Sequence, residues 1–273
     1  MKLLFLGSGS AFTVGANNYQ SNMLLMDEGG YKLLIDCGSD IRFSLHDRGY
    51  SYQDITDIYI SHLHADHVGG MEFIGLTTLF DPRCPKPNLY VSKDVASELW
   101  DRCLAGGMQS IGNDLADLDT FFNVHKIRRN SYFVWNEIQF FLVRVLHIDN
   151  GYAVMPSYGL FFTLGGKKVF LTTDTQISLD TTQEYYENAD IIFHDCETSR
   201  FPSSVHAHYQ ELTKLPERWK KKMWLYGYQP GVLPDAKAAG FLGFVQRGQS
   251  FEFYDRIPNP AIGSAIEREG KLF

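Results

Sequence analysis

Residues 62 to 67 read His62-Leu63-His64-Ala65-Asp66-His67. Three imidazoles and a carboxylate within six residues exceed what packing or solubility asks of a segment, and imidazole is the commonest side-chain metal ligand. Donors spaced by two and by five cannot all face one way from a regular helix or strand. The segment must therefore be a loop folded around metals, and a rigid frame must present it. The mixture of nitrogen and oxygen donors suits Zn²⁺, with Mn²⁺ and Fe²⁺ as alternatives.

The frame is legible in short apolar runs. Residues 3–6, 23–26, 32–35, 55–60, 138–146, 159–164, 167–171, 190–193, 223–226, 241–245 and 250–254 read as strands. Turn signals join two pairs of them, Asp27-Glu28-Gly29-Gly30 and Gly165-Gly166. Helical stretches are expected near 40–48, 69–80, 93–105, 180–188 and 208–221. Strands in both halves with helices between them imply a layered α/β fold, not separate modules. One domain is expected over residues 1–255, with 256–273, which contain Pro258 and Pro260, as a C-terminal surface extension. Four apolar runs end in metal-binding residue types: 55–60 runs to His62, 138–146 to His147, 167–171 to Asp174, and 190–193 to His194-Asp195. Strand ends on one edge of a sheet are where α/β folds gather their sites, so these residues are expected to converge.

Composition narrows the function. With 273 residues the chain can bury a large core. No apolar run approaches the roughly 18 residues of a membrane span, and the N-terminal run is too short for a secretory signal. Cys37, Cys84, Cys103 and Cys196 include no C-x-x-C pair, so reduced thiols and a cytoplasmic location are expected. A net charge of −7, from 25 basic and 32 acidic residues, argues against wrapping an extended nucleic acid. A small anionic substrate bound at metal remains compatible with it. The 20 Phe, 15 Tyr and 4 Trp read chiefly as core and dimer-interface packing, a few being candidates to stack on a nucleobase. Lys214, Arg218, Lys220, Lys221 and Lys222 read as a solvated helix face.

These residues resemble the metallo-β-lactamase superfamily, whose H-x-H-x-D-H signature stands here as His62 to His67. Further matches are Phe5-Leu6-Gly7-Ser8-Gly9-Ser10, Leu34-Ile35-Asp36-Cys37-Gly38, His147 and Thr172-Thr173-Asp174-Thr175. The chain is most similar to the tRNase Z-like phosphodiesterase branch, which includes the cyclic-nucleotide phosphodiesterases that cancel Pycsar-type antiviral signalling. The resemblance implies an αβ/βα four-layer sandwich with two zinc ions at its edge, Mn²⁺ being an alternative. His62, His64 and His147 would hold the first metal, Asp66 and His67 the second, and Asp174 would bridge them. The resemblance also implies a homodimer, and a host-cytoplasm location if the chain is phage-encoded.

The family pattern continues with an acidic residue and a proton-donating histidine. Asp195 matches the first, with Glu197 in reserve, and His206 is preferred to His208 for the second. The implied chemistry is phosphodiester hydrolysis: Asp66 orients the attacking water, His206 protonates the departing oxygen, and Asp195 fixes the tautomer of His206. One position departs from the pattern. Gly227 stands where the family has its last metal-binding histidine, so the second metal is expected to be the weaker one. His208 is the candidate to compensate, and Gly227→His is expected to tighten that metal if the ring fits. The tRNA-processing members carry a protruding arm between the single histidine and the bridging aspartate, and the short interval from His147 to Asp174 leaves no room for it. A 3′,5′-cyclic nucleotide is therefore the expected substrate. The alternatives are a tRNA 3′-end endonuclease or other superfamily hydrolase, and a nucleotide-binding protein weakened in catalysis by Gly227.

Overall fold

The computed structural model describes residues 1–15 and 17–254; the stretch expected as a C-terminal extension, 256–273, lies outside them. The first half of the chain builds a sheet from β1 (Lys2–Phe5), β2 (Met23–Met26), β3 (Lys32–Ile35), β4 (Asp57–Ile60) and β5 (Asn88–Ser92). A small hairpin of β6 (Ser110–Ile111) and β7 (Asp114–Leu115) stands apart, and β8 (Asn123–Ile127) returns to the sheet edge. The second sheet comprises β9 (Tyr132–Trp135), β10 (Ile138–Val145), β11 (Ser157–Leu164), β12 (Lys167–Leu171), β13 (Ile191–Asp195), β14 (Met223–Tyr226) and β15 (Gly243–Phe244). The last strand, β16 (Ser250–Glu252), crosses back to pair with β1.

The spatial orders are β16-β1-β2-β3-β4-β5-β8 and β15-β14-β13-β12-β11-β10-β9. Each sheet starts with antiparallel pairs and ends with parallel ones: β3 to β4, β5 and β8 in the first, and β12 to β13, β14 and β15 in the second. Parallel neighbours put their C-terminal ends on one edge, and the expected donors lie there.

Side-chain alternation divides the second sheet into two faces. Phe140, Leu142, Tyr158, Leu160, Phe162, Val169, Leu171, Phe193 and Tyr226 join the core shared with the first sheet. Their neighbours Val143, Val145, Phe170, Ile192, Met223 and Leu225 face the other way and pack with Tyr186 and Trp219 of the outer helices Leu179–Asn188 and Glu217–Lys220. On the first sheet, Ile41, Leu45, Met71 and Ile74 of helices Ile41–His46 and Met71–Phe80 join the shared core. Helix, sheet, sheet and helix layers make the αβ/βα sandwich expected from the sequence.

Five strands escape the apolar-run reading, the two of the small hairpin, β6 and β7, and three of the large sheets. β8, of sequence NVHKI, and β9 lie on sheet edges and are largely or alternately exposed, so they carry no continuous apolar signal. β5 alternates before it ends in buried residues. The single helix expected over 208–221 is two short ones, Tyr209–Leu212 and Glu217–Lys220, with Pro216 capping the second. Proline lacks the amide hydrogen that a continuous helix would need there.

Candidate metal centre

Strand ends and the loops that follow them bring seven side chains together. β4 leads through Ser61 into His62 and His64, and the short helix Ala65–Val68 carries Asp66 and His67. His147 follows β10, Asp174 follows β12, and Asp195 ends β13. Three donor groups result: His62, His64, His147 and Asp174 in the first, Asp66, His67 and Asp174 in the second, and Asp195, His206 and Asp174 in a third that contains the His206–Asp195 pair. Asp174 is common to all three. Its Oδ2 lies 3.9 Å from His62 Nε2, 3.9 Å from His147 Nε2 and 3.2 Å from His67 Nε2.

The outer ring nitrogens decide what the inner ones can do. His147 Nδ1 donates to the carbonyl of Val205 at 2.7 Å, which leaves Nε2 as a bare lone pair. Ser61 Oγ gives its proton to Asp36 Oδ2 at 2.8 Å and so accepts from His62 Nδ1 at 3.0 Å; His62 Nε2 is bare as well. Both bare nitrogens face His64 Nδ1, each at 3.1 Å. A neutral His64 has one ring proton and can satisfy at most one of them. Burial, reinforced by the field of His67, holds His62 well below the usual histidine range, and burial lowers His147 to about 4, so both rings are neutral at pH 7. Three converging nitrogens with too few protons among them fit a cation.

The second group makes the same demand. His67 Nδ1 donates to Asp36 Oδ2 at 2.7 Å. Its buried Nε2 has no hydrogen-bond partner, although Asp66 Oδ2 stands at 3.1 Å and Asp174 Oδ2 at 3.2 Å. Burial opposes a charge on His67, yet the fields of Asp174, Asp66 and Asp36 raise its pKa well above the ordinary value. The carboxylates thus require positive charge at this point, which a divalent ion supplies more fully than a proton. Oxygen and imidazole donors of this kind fit a divalent metal in each of these first two groups.

His206 stands beside the donors, its ring 4.8 Å from that of His147. Nδ1 donates to Asp195 Oδ2 at 2.7 Å, which leaves Nε2 for a substrate. Burial disfavours its charged form, but the field and hydrogen bond of Asp195 outweigh burial and raise its pKa to about 10. Asp195 is pushed up to about 6 by burial, so near neutral pH the pair is imidazolium and carboxylate. The segment is pinned on both sides: Ala207 donates its amide to Thr175 O and accepts from Glu197 N.

Some expectations need correction. His208 does not join any of the donor groups: Nε2 meets Ser199 O at 3.0 Å, and Nδ1 accepts from Gln210 N, capping helix Tyr209–Leu212. It therefore does not compensate for Gly227, and among the described residues the second group has only its three donors. Glu197 takes no part in holding His206; its carboxylate receives Ser199 Oγ, Ser203 N and Ser203 Oγ and so ties down the loop before it. His194 turns to the opposite face of β13 and meets Tyr186 Oη at 2.6 Å, as strand alternation requires. Sequence reasoning gave no role to Asp36, which holds both His67 and Ser61. The rule of an apolar run ending in a donor type, applied to β3, points to it.

Gly227 is needed as glycine. Its φ is +78°, and a Cβ there would lie 2.6 Å from Asp195 Oδ1. A histidine would be strained and would push on the carboxylate that orients His206, contrary to the expectation that it tightens the second metal.

Two outcomes follow from this geometry. Gly227→His should lose about 1–3 kcal/mol of stability through left-handed strain, with no gain in second-metal affinity; urea unfolding and a metal titration read the two quantities, and unchanged stability with tighter metal contradicts the steric reading. Asp195→Asn should bring the His206 pKa down from about 10, because the field of Asp195 is then gone and only those of Asp174 and Glu197 are left to oppose burial. The raised pKa contributes stability that is complete below about 6.5 and is lost as pH rises through about 10. NMR titration of the ring in the metal-free protein reads the shift, and an unmoved pKa would remove Asp195 as its cause.

Known proteins are similar to this chain in sequence and in fold. A family model described as anti-Pycsar protein Apyc1 matches residues 1–251. The anti-Pycsar protein Apyc1 of Paenibacillus harenae is 31% identical over 254 residues, covering 92% of this chain and all of that one. The protein of the same description from Bacillus phage vB_BveM-Goe7 is 31% identical over 258 residues, covering 91% of this chain and 96% of its own. Among solved structures, the metallo-β-lactamase fold protein YhfI from Bacillus subtilis superposes with a TM-score of 0.69 at 17% identity, covering 92% of this chain and 98% of that one.

Proposed function

The chain belongs to the anti-Pycsar protein Apyc1 family and is a metal-dependent phosphodiesterase of metallo-β-lactamase fold, and from that premise we propose that it hydrolyses a 3′,5′-cyclic nucleotide with two zinc ions. One observation carries the reading: two donor groups share Asp174, and a protonated histidine, oriented by its own carboxylate, stands beside them. His62, His64 and His147 would hold the first metal, Asp66 and His67 the second, and Asp174 both. Two divalent metals at such a site polarise the phosphate and lower the pKa of the attacking water.

The remaining work falls to the chain's own groups. Asp66, at the helix start beside His67, would accept a hydrogen bond from the incoming water and orient it. Water oxygen attacks phosphorus and gives up one proton to solvent, the bond to a ribose oxygen breaks, and His206 Nε2 gives that oxygen its proton. Asp195 keeps the Nδ1 proton in place throughout and stabilises the charged ring before transfer.

A small substrate is supported by the interval between His147 and Asp174. A loop with one isolated bridge, then β11, the Gly165-Gly166 turn and β12 use it up, with no inserted arm to grip tRNA. Pairing of two copies, which rests on the family resemblance, and a cytoplasmic location, which rests on the four cysteines without a C-x-x-C pair, belong to the same proposal. The observation that favours a weakened, nucleotide-binding protein is the three-donor second group beside Gly227; metal content measured together with turnover separates the two readings.

The test is a panel of 3′,5′-cyclic nucleotides, linear dinucleotides and a tRNA precursor, assayed with Zn²⁺ and with Mn²⁺. Cyclic nucleotides should be opened to mononucleotides, and His206→Ala should retain metal while losing about 10²–10⁴-fold in turnover. Cleavage of the tRNA precursor without turnover of any cyclic nucleotide contradicts the proposal.

A further inference from the structure

On the His206 side of the donor cluster lies a cavity of about 380 Å³, its wall including His206, Gln176, Ile177, Pro202, Glu211 and Lys214. That volume falls within the roughly 300–1,000 Å³ of small-molecule sites. The wall is built before any ligand arrives. Gln176 is held at both ends, its amide N donating to Leu146 O at 2.6 Å and Nε2 to His147 O at 2.7 Å. The loop bearing Pro202 is tied down through the Glu197 carboxylate, which accepts from Ser199 Oγ at 2.6 Å and Ser203 Oγ at 2.9 Å.

Lys214 differs from the basic residues that follow it. Arg218 pairs with Glu187 at 2.7 Å, Lys221 lies 3.9 Å from Glu217, Lys220 donates to the carbonyls of Thr213 and Ala239, and Lys222 donates to those of Glu187 and Ala189. Among the described residues Lys214 has no such partner, and neither does the carboxylate of Glu211. Both are exposed, and both line the cavity. Lys214 is thus solvated, as expected of the run, and differs from the other basic residues in having no protein partner among the described residues.

The chemistry of the leaving group connects this cavity to the reaction. His206 Nε2 must reach the departing oxygen, so the fragment that carries this oxygen lies on the His206 side. In a 3′,5′-cyclic nucleotide that oxygen remains on the ribose, and the ribose carries the base. We infer that the cavity is the nucleoside subsite, with Ile177 and Pro202 against the faces of the base and Lys214 and Glu211 reading its edge. The inference rests on the cyclic-nucleotide reading above. Lys214 supplies a charged donor for a ring carbonyl, and Glu211 an acceptor for an amino or ring N–H group.

Steady-state kinetics of the metal-loaded protein, Lys214→Ala and Glu211→Gln test this on purine and pyrimidine 3′,5′-cyclic nucleotides and on bis(p-nitrophenyl) phosphate, a diester without base or ribose. Each variant should raise KM for the preferred cyclic nucleotide about tenfold to a hundredfold, the range for one lost hydrogen bond to a charged group. The order of preference among bases should change, and the loss on bis(p-nitrophenyl) phosphate should be smaller by about tenfold. Equal losses on all substrates, or an unchanged order of bases, overturn the subsite while leaving the cyclic-nucleotide reading intact. Turnover of bis(p-nitrophenyl) phosphate with no cyclic nucleotide accepted overturns that reading, and the subsite with it.

Discussion

The site depends on where the outer ring protons of its histidines are held. The Val205 carbonyl fixes His147, Ser61 fixes His62, and Asp36 fixes His67. For His147 and His62 the bond turns the inner nitrogen into a lone pair aimed at its neighbours, and for His67 it leaves Nε2 facing Asp66 and Asp174. Lone pairs crowded 3.1 Å apart, and a buried nitrogen facing two carboxylates without a hydrogen bond, form an arrangement that only a positive charge relieves. Such outer partners commonly change metal affinity about 10–100-fold when removed. Asp36 is the most connected of them, since one carboxylate holds His67 directly and His62 through Ser61.

The sheets make this tolerance possible. Apolar side chains on alternating positions lock β10 to β14 between two packed layers, which leaves the strand ends as a rigid rim. Backbone strain collects at that rim. Asp36 and Thr173 adopt positive φ, +61° and +53°, next to the residues they help to place, conformations that cost non-glycine residues stability and persist where the surroundings over-determine them. The proton donor is tied to the same rim. Val205 accepts from His147, Asp195 on β13 accepts from His206, and Ala207 bridges Thr175 and Glu197. Ligands and proton donor are therefore positioned as one unit.

Much of this was legible because the chemistry is local. Six residues around His62 announce a metal loop, and the apolar runs before His147 and Asp174 place those donors at strand ends. Most interior strands show as apolar runs because both of their faces are buried. The edge strands β8 and β9 do not, since half or more of their side chains face water. The family pattern favoured His206 over His208, but the different fates of the two rings, one beside Asp195 and the other capping a helix, depend on backbone direction. The steric demand for glycine at 227 comes from Asp195, a residue distant in sequence. Lys214 was hidden for a related reason: a basic run looks uniform until the partners of its other members are known.

Anomalous diffraction at the zinc edge, on crystals of the zinc-loaded protein, tests the central claim most directly. The account predicts one peak among His62 Nε2, His64 Nδ1 and His147 Nε2, and a second, of lower occupancy at limiting zinc, among Asp66, His67 Nε2 and Asp174. Full zinc loading with no peak between these nitrogens, or with the metal held elsewhere on the chain, would contradict it.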